Sequence, residues 1–302
     1  MSFFKKIARY KTGFYHLDRI KFIVSLWLSH NKKKPIILIY ALGKTGTTSL
    51  LRSMQIYACE KYNVYHTHFL PPDENTKDVK DKSLSYYHRN KYHYVLDFIW
   101  KPHFINKMIR KNNFVYIITG GRDPLKRRIS SYFQTLHLEK NGNVYRCTDR
   151  GSEDFIEVTL ENIHPLIEAF YNSRAVQDED LWFDKEINKV AGYNLLKENE
   201  FDYNKGYKSF RVNKNIHLIF YRLENIQQFV NEYLIKELEL PEIRIVKSNM
   251  AENKEYNKLY KAFISSFKPS KLYIDEVYSS DYAKFFYTLE ERKALMQNWL
   301  RE

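Results

Sequence analysis

Five short apolar runs, each separated from the next by polar or helical-looking stretches, constrain the fold of this chain more than any other feature. They are Pro35 to Tyr40 (P-I-I-L-I-Y), Asn63 to Phe69, Tyr92 to Phe98, Phe114 to Thr119 and Ile216 to Tyr221. A continuous apolar run suits a strand covered on both faces, whereas strict alternation suits a strand with one wet face. Strands separated by helix-length stretches form repeated β-α units rather than hairpins. The expectation is an α/β fold with a central, mostly parallel sheet flanked by helices.

A chain of 302 residues can bury one sizeable core. Residues 1–34 read as a basic, aromatic N-terminal segment packed on the core, and residues 35–302 as a single domain with an acceptor-side insertion at about 134–215. The insertion shows no clear strand alternation. A helix is expected to start near Ser152, capped by its hydroxyl, with Glu153 and Asp154 at the positive end of the helix dipole. Towards the C-terminus, Tyr256, Leu259, Tyr260, Phe263 and Phe267 follow helical spacing, and Thr288 with Glu291 forms a capping box for a last helix carrying Leu295 and Trp299.

A formal net charge of +13 biases the molecule toward anionic partners without saying which anion. The 25 Tyr and 20 Phe supply enough aromatic surface to offset chain entropy, which excludes a disordered chain. Cys59 and Cys147, the two cysteines, have neither C-x-x-C spacing nor clustered histidines, so neither a disulfide framework nor a structural zinc is expected. The run Phe22 to Leu28 is too short to span a bilayer. A soluble cytoplasmic protein is expected, with peripheral contact to an acidic membrane face open to the segment from Phe3 to Leu28.

The most informative segment is A-L-G-K-T-G-T-T-S-L, Ala41 to Leu50, between the first buried run and an apparent helix. Gly43 and Gly46 permit a tight turn whose N–H groups converge on a phosphate, and the helix start adds its partial positive charge. Lys44 adds a full charge, and Thr45, Thr47, Thr48 and Ser49 add hydroxyl donors. The Walker pattern fails at its first glycine, where Leu38 stands, so a standard nucleotide-triphosphatase loop is disfavoured.

A second constellation, Val115 to Phe133 (V-Y-I-I-T-G-G-R-D-P-L-K-R-R-I-S-S-Y-F), again runs from a buried strand into a helix. Asp123 suits the N-cap and Pro124 the first turn. Arg127 and Ser130, three residues apart, share a helix face and so offer one phosphate a guanidinium and a hydroxyl.

Taken in this order, the two segments resemble the sulfotransferase superfamily that uses 3′-phosphoadenosine 5′-phosphosulfate (PAPS). K-x-G-T-T-S-L is similar to its 5′-phosphosulfate loop and R-D-P-L-K-R-R-I-S-S-Y to its 3′-phosphate motif. The resemblance implies a P-loop-like three-layer core. It assigns Lys44, Thr45, Gly46, Thr47, Thr48 and Ser49 to the 5′-phosphosulfate and Arg122 and Ser130 to the 3′-phosphate, with Arg127 beside them. W-F-D-K-E-I (Trp182 to Ile187), F-D-Y-N-K-G-Y (Phe201 to Tyr207) and Y-R-L-E-N-I (Tyr221 to Ile226) resemble bacterial capsular polysaccharide synthesis proteins of sulfotransferase-like sequence. The C-terminal G-x-x-G-x-x-K segment of cytosolic small-molecule sulfotransferases is not found, which points to a carbohydrate acceptor.

Sulfuryl transfer asks a protein to align donor and acceptor and to stabilise charge moving onto the leaving phosphate, the role expected of Lys44. The acceptor must also lose a proton. His66 and His68, flanking Thr67 at the end of the second run, face one side of a strand and are the first candidates for the base. Asp97 follows, with Glu186 behind it. No metal is expected. Two rival readings stay open: a P-loop kinase or triphosphatase using Lys44, Thr45 and Asp97 around magnesium, and a non-catalytic binder of polyanions.

Overall fold

The computed structural model describes residues 17–18, 20–70, 100–111, 114–148, 155–173, 178–198, 200–246 and 256–301. The strand expected at 92–98, Asp97 within it, and the helix start at Ser152 lie outside these residues. Eight strands are described: β1 (Ile36–Tyr40), β2 (Asn63–Thr67), β3 (Val115–Gly121), β4 (His137–Asn141), β5 (Val144–Thr148), β6 (Ile156–Val158), β7 (Tyr207–Arg211) and β8 (Ile216–Arg222). The fold is mixed α/β, and its larger sheet has the order β2-β1-β3-β8-β7. β1 pairs in parallel with both neighbours, Ile36 opposite Asn63 on one side and Val115 on the other. Every residue of β1 is fully buried, as its unbroken apolar sequence requires.

The chain forms two compact units. The first takes in the described residues of Met1–Ala41, Met54–Ile118 and Ser209–Ile219, and so most of the larger sheet. Within it the aromatic N-terminal segment finds its partners: Trp27 meets Phe104 edge-on at 6.3 Å, and buried His30 bonds the Tyr65 hydroxyl through Nδ1 at 2.9 Å.

The second unit takes in the described residues of Leu42–Ser53, Thr119–Lys208 and Phe220–Glu302. Its core surrounds the helix Pro124–Thr135, whose Leu125, Ile129, Tyr132 and Phe133 are buried. Phe133 meets Phe263 at 5.2 Å, and Phe170 meets Phe267 at 5.4 Å. Each such ring, taken fully out of water, contributes about 1.5–3 kcal/mol before entropy is charged against it. Asp123 caps this helix, accepting from the Lys126 amide at 3.0 Å, and Pro124 opens it as expected. The capping box at Thr288 and Glu291 forms with bonds of 2.8 and 3.1 Å and starts the last helix, Leu289–Arg301.

The region at 134–215 differs from the expectation. β4, β5 and β6 form a three-stranded antiparallel sheet. Ile156 to Val158, which a helix begun near Ser152 would contain, are extended, with Ile156 opposite Cys147 and Val158 opposite Tyr145. Two β-branched residues flanking Glu157 pack better on a pleated surface than on a helix. Asn141 pairs with Val144, so the turn between β4 and β5 is the two residues Gly142-Asn143, with Gly142 at φ 60° in its first position, a Gly-first hairpin turn. β7 also falls inside this region and joins the edge of the larger sheet.

Candidate functional site

The loop between β1 and the helix Thr47–Tyr57 carries two residues in the left-handed region, Lys44 at φ 74° and Gly46 at φ 83°. For a lysine this costs roughly 1–2 kcal/mol and persists where surrounding contacts over-determine it. Gly46 is the glycine the loop requires, because a Cβ there would fall 2.5 Å from Leu223 Cδ1. Gly43 is not required in that way, since a Cβ at its position meets nothing within 4 Å.

Thr45 is fully buried, and its hydroxyl donates to the Leu42 carbonyl at 2.9 Å. Its carbonyl accepts from the Tyr221 hydroxyl at 2.8 Å. The whole of Thr45 is thus enclosed within the loop, its hydroxyl proton held by the Leu42 carbonyl rather than presented to a ligand. Thr47 is buried, while Lys44, Thr48 and Ser49 are half-buried beside the helix start. First-turn amides have no intrahelical acceptor, which makes such a terminus suited to anions.

The second constellation begins where β3 ends. A Cβ on Gly120 would fall 2.6 Å from the Tyr221 ring and 3.0 Å from the Thr45 carbonyl, and one on Gly121 would fall 2.6 Å from Phe286. Gly120 therefore lets this strand end approach the loop, and Gly121 makes room for the Phe286 ring. Arg122 follows, half-buried, and its Nη1 donates to the Lys44 carbonyl at 3.3 Å. Its backbone is clamped by Tyr282, whose hydroxyl accepts from the Arg122 amide at 2.8 Å and donates to the Arg122 carbonyl at 3.0 Å. Ser130 is half-buried two turns along the helix Pro124–Thr135. Lys44 and Arg122, 78 positions apart, are thus neighbours within one compact unit.

Arg127 corrects the sequence reading. It has 0% exposure, and its guanidinium pairs with Glu179 at 2.6 Å through Nη2 and 2.8 Å through Nε. Arg128 holds the other oxygen of the same carboxylate at 2.7 Å. Burial alone would raise the Glu179 pKa, but the two arginines outweigh it and hold the carboxyl below its ordinary value. Helix periodicity put Arg127 on the face of Ser130 but could not show that this face turns into the core toward a carboxylate 52 residues away.

His66 and His68 lie side by side in the first unit, ring centroids 4.6 Å apart. His68 Nδ1 lies 2.6 Å from the Ala41 carbonyl, the residue at which β1 gives way to the loop. A carbonyl only accepts, so Nδ1 carries the proton and Nε2 of the neutral ring holds the lone pair. Burial lowers the pKa of both rings. In His66 burial, then the neighbouring His68 and Lys101, push it down to about 3, and its Nε2 is buried without a hydrogen-bond partner. Both rings are therefore neutral at pH 7, and His66 is a weaker base than one poised near neutrality. Glu186 lies half-buried on a helical turn, Phe183–Ile187, in the second unit. No metal-binding cluster of His, Cys, Asp or Glu occurs among the described residues, and no described helix is long and apolar enough to cross a membrane.

The segment Tyr221 to Ile226 carries the scaffolding that the sequence did not reveal. Tyr221 bonds the loop carbonyl of Thr45; Leu223 and Ile226 pack beneath Gly46; Glu224 accepts from the Asp123 amide at 3.2 Å. Arg222 pairs with Glu291 at 2.6 Å, tying this segment to the last capping box. The two turns are thus held from one stretch of chain.

That stretch lies in the part of the protein that a known family recognises. Residues 156–288 match the family NKWYS, described as "Putative capsular polysaccharide synthesis protein". The NKWYS match covers less than half of the 302 residues and includes the segments 182–187, 201–207 and 221–226. It includes neither Ala41 to Leu50 nor Val115 to Phe133. No curated protein matches the chain, and no solved structure does.

Proposed function

We propose that this protein is a PAPS-dependent sulfotransferase that moves a sulfuryl group to a hydroxyl or amine of a carbohydrate or polysaccharide. The observation that carries the reading is the Arg122 to Lys44 contact of 3.3 Å, which brings together the two anion-binding turns expected at opposite ends of one bisphosphorylated nucleotide. The residues suit that nucleotide: left-handed Lys44 and Gly46 shape a backbone turn at a helix start, and half-buried Arg122 and Ser130 follow from the neighbouring strand end. The NKWYS description supports a polysaccharide as acceptor.

PAPS supplies an already activated sulfuryl group. The protein's part is then positioning and charge. Lys44 neutralises negative charge building on the leaving phosphate, and the loop amides hold its oxygens. Arg122 and Ser130 anchor the 3′-phosphate, while Arg127 braces the helix from within.

The test is a thermal melt of the purified protein with the desulfated product PAP. A ligand that binds only the folded state, at about a hundred times its Kd, adds about 2.7 kcal/mol of stability. A shift with PAP that is insensitive to EDTA and exceeds that with ATP is the expected result. No shift at saturating PAP overturns the reading.

A further inference from the structure

The chain is helical over residues 20–29 in the first unit, and this helix is apolar on two faces. Phe22, Ile23, Leu26 and Trp27 are half-buried, and Trp27 meets Phe104 edge-on at 6.3 Å. The second face stays in water: Leu17, Ile20, Val24 and Leu28 are 55%, 51%, 48% and 83% exposed. Successive members lie three or four residues apart, so they line up along one side of the helix. Scattered exposed apolar side chains are ordinary, whereas four in one stripe mark a surface that meets something apolar.

The charge around the stripe narrows what that partner is. Lys21, Lys32 and Lys33 are exposed, and Lys21 borders the stripe, four residues from Leu17 and three from Val24. At the end that carries Leu28, Lys32 and Lys111 each place Nζ over the Trp27 ring at 5.2 Å, which gathers two ammonium groups there. Asp18 is the one acidic residue from 17 to 34, and there is none from 101 to 111. Two copies of this face set together would bring lysine against lysine, which disfavours self-association. Nucleic acid gains stacking from aromatic rings and nothing from an aliphatic stripe. An acidic bilayer surface suits both features, because aliphatic side chains enter the boundary between headgroups and acyl chains while lysine ammonium groups stay among the phosphates. Residues 20–29 span about 15 Å, roughly half a bilayer core, so the helix lies in the surface and does not cross it. We propose that this helix docks the protein flat on a membrane surface rich in anionic lipid, with Leu17, Ile20, Val24 and Leu28 inserted and Lys21, Lys32, Lys33 and Lys111 on the headgroups. The proposal goes beyond the sulfotransferase reading and stands without it, because none of these residues belongs to the proposed PAPS contacts.

The experiment is co-sedimentation of the full chain with vesicles made of equal parts phosphatidylcholine and phosphatidylglycerol, and with vesicles of phosphatidylcholine alone. Binding is expected to the first and to be about ten-fold weaker or more to the second. Val24→Ser with Leu28→Ser leaves the charge unchanged and is expected to weaken binding to the anionic vesicles about ten-fold, as is Lys21→Glu with Lys33→Glu. All four positions are exposed, so both double variants are expected to melt with the parent. The proposal is overturned if the anionic vesicles do not carry the protein down, or if neutral vesicles bind it equally well. It is also overturned if the serine pair binds like the parent, since charge alone would then account for the attraction. A parent dimer that the serine pair converts to monomer in sedimentation velocity overturns it too, by making the stripe a contact between copies. A missing PAP shift in the thermal melt would sink the sulfotransferase reading and leave this one untouched.

Discussion

The Tyr221 hydroxyl donates to the Thr45 carbonyl at 2.8 Å, with neither residue exposed. The Tyr221 ring lies flat on Phe229, centroids 5.0 Å apart at an angle of 4°, so the donor is held from below. Burial pushes the phenol well above its usual pKa and keeps it a donor at any working pH. Tyr221→Phe leaves the carbonyl buried and unbonded, at a cost of about 1–2 kcal/mol. The expected outcome is a lower melting temperature together with weaker PAP binding. A stability loss with unchanged PAP affinity would show that the bond serves the fold alone.

Lys44 separates strain from binding. Lys44→Ala keeps the left-handed backbone and removes the charge, whereas Lys44→Gly also relieves the strain, for a net gain of up to about 1 kcal/mol after the extra entropy of glycine is counted. Both variants are expected to bind PAP at least ten-fold more weakly, measured by calorimetry, while only Lys44→Gly matches or exceeds the parent in chemical denaturation.

Arg122 and Arg127 are expected to fail differently. Arg122→Ala should keep its fold and lose about ten-fold in PAP affinity, since its guanidinium is half-buried at the loop. Glu179→Ala strands two arginines, one of them at 0% exposure, and is expected to cost about 3–5 kcal/mol in urea denaturation. Because the folded pKa of Glu179 lies below its ordinary 4.5, the stability it contributes is fully present above that value and is lost as pH falls through the folded one.

His66 gives a second acid dependence. Its folded pKa of about 3 lies below the ordinary 6.5, so the unfolded chain takes up its proton first as pH falls. The contribution is present in full above pH 6.5 and declines toward pH 3, by on the order of 4–5 kcal/mol. His66→Phe should flatten this part of the stability profile. An unchanged slope in denaturant melts between those pH values would mean the ring is not buried as described.

What the sequence by itself determined is whatever depends on neighbours along the chain. Largely apolar runs marked β1, β3 and β8, because a strand covered on both faces has few polar positions to spare, whereas β2, N-V-Y-H-T, is buried at alternate residues only. Asp123-Pro124 and Thr288 with Glu291 marked helix starts, because a cap is satisfied within three residues. The Gly142-Asn143 turn of the β4–β5 hairpin is local in the same sense, since a glycine in its first position supplies the positive φ. What only the tertiary structure decided is which distant groups meet: Arg127 with Glu179, Tyr221 with Thr45, Arg122 with Lys44. Helical spacing tells which residues share a face but not whether that face meets water or the core. A hydrogen bond between residues 176 positions apart is set by packing, which no local pattern encodes.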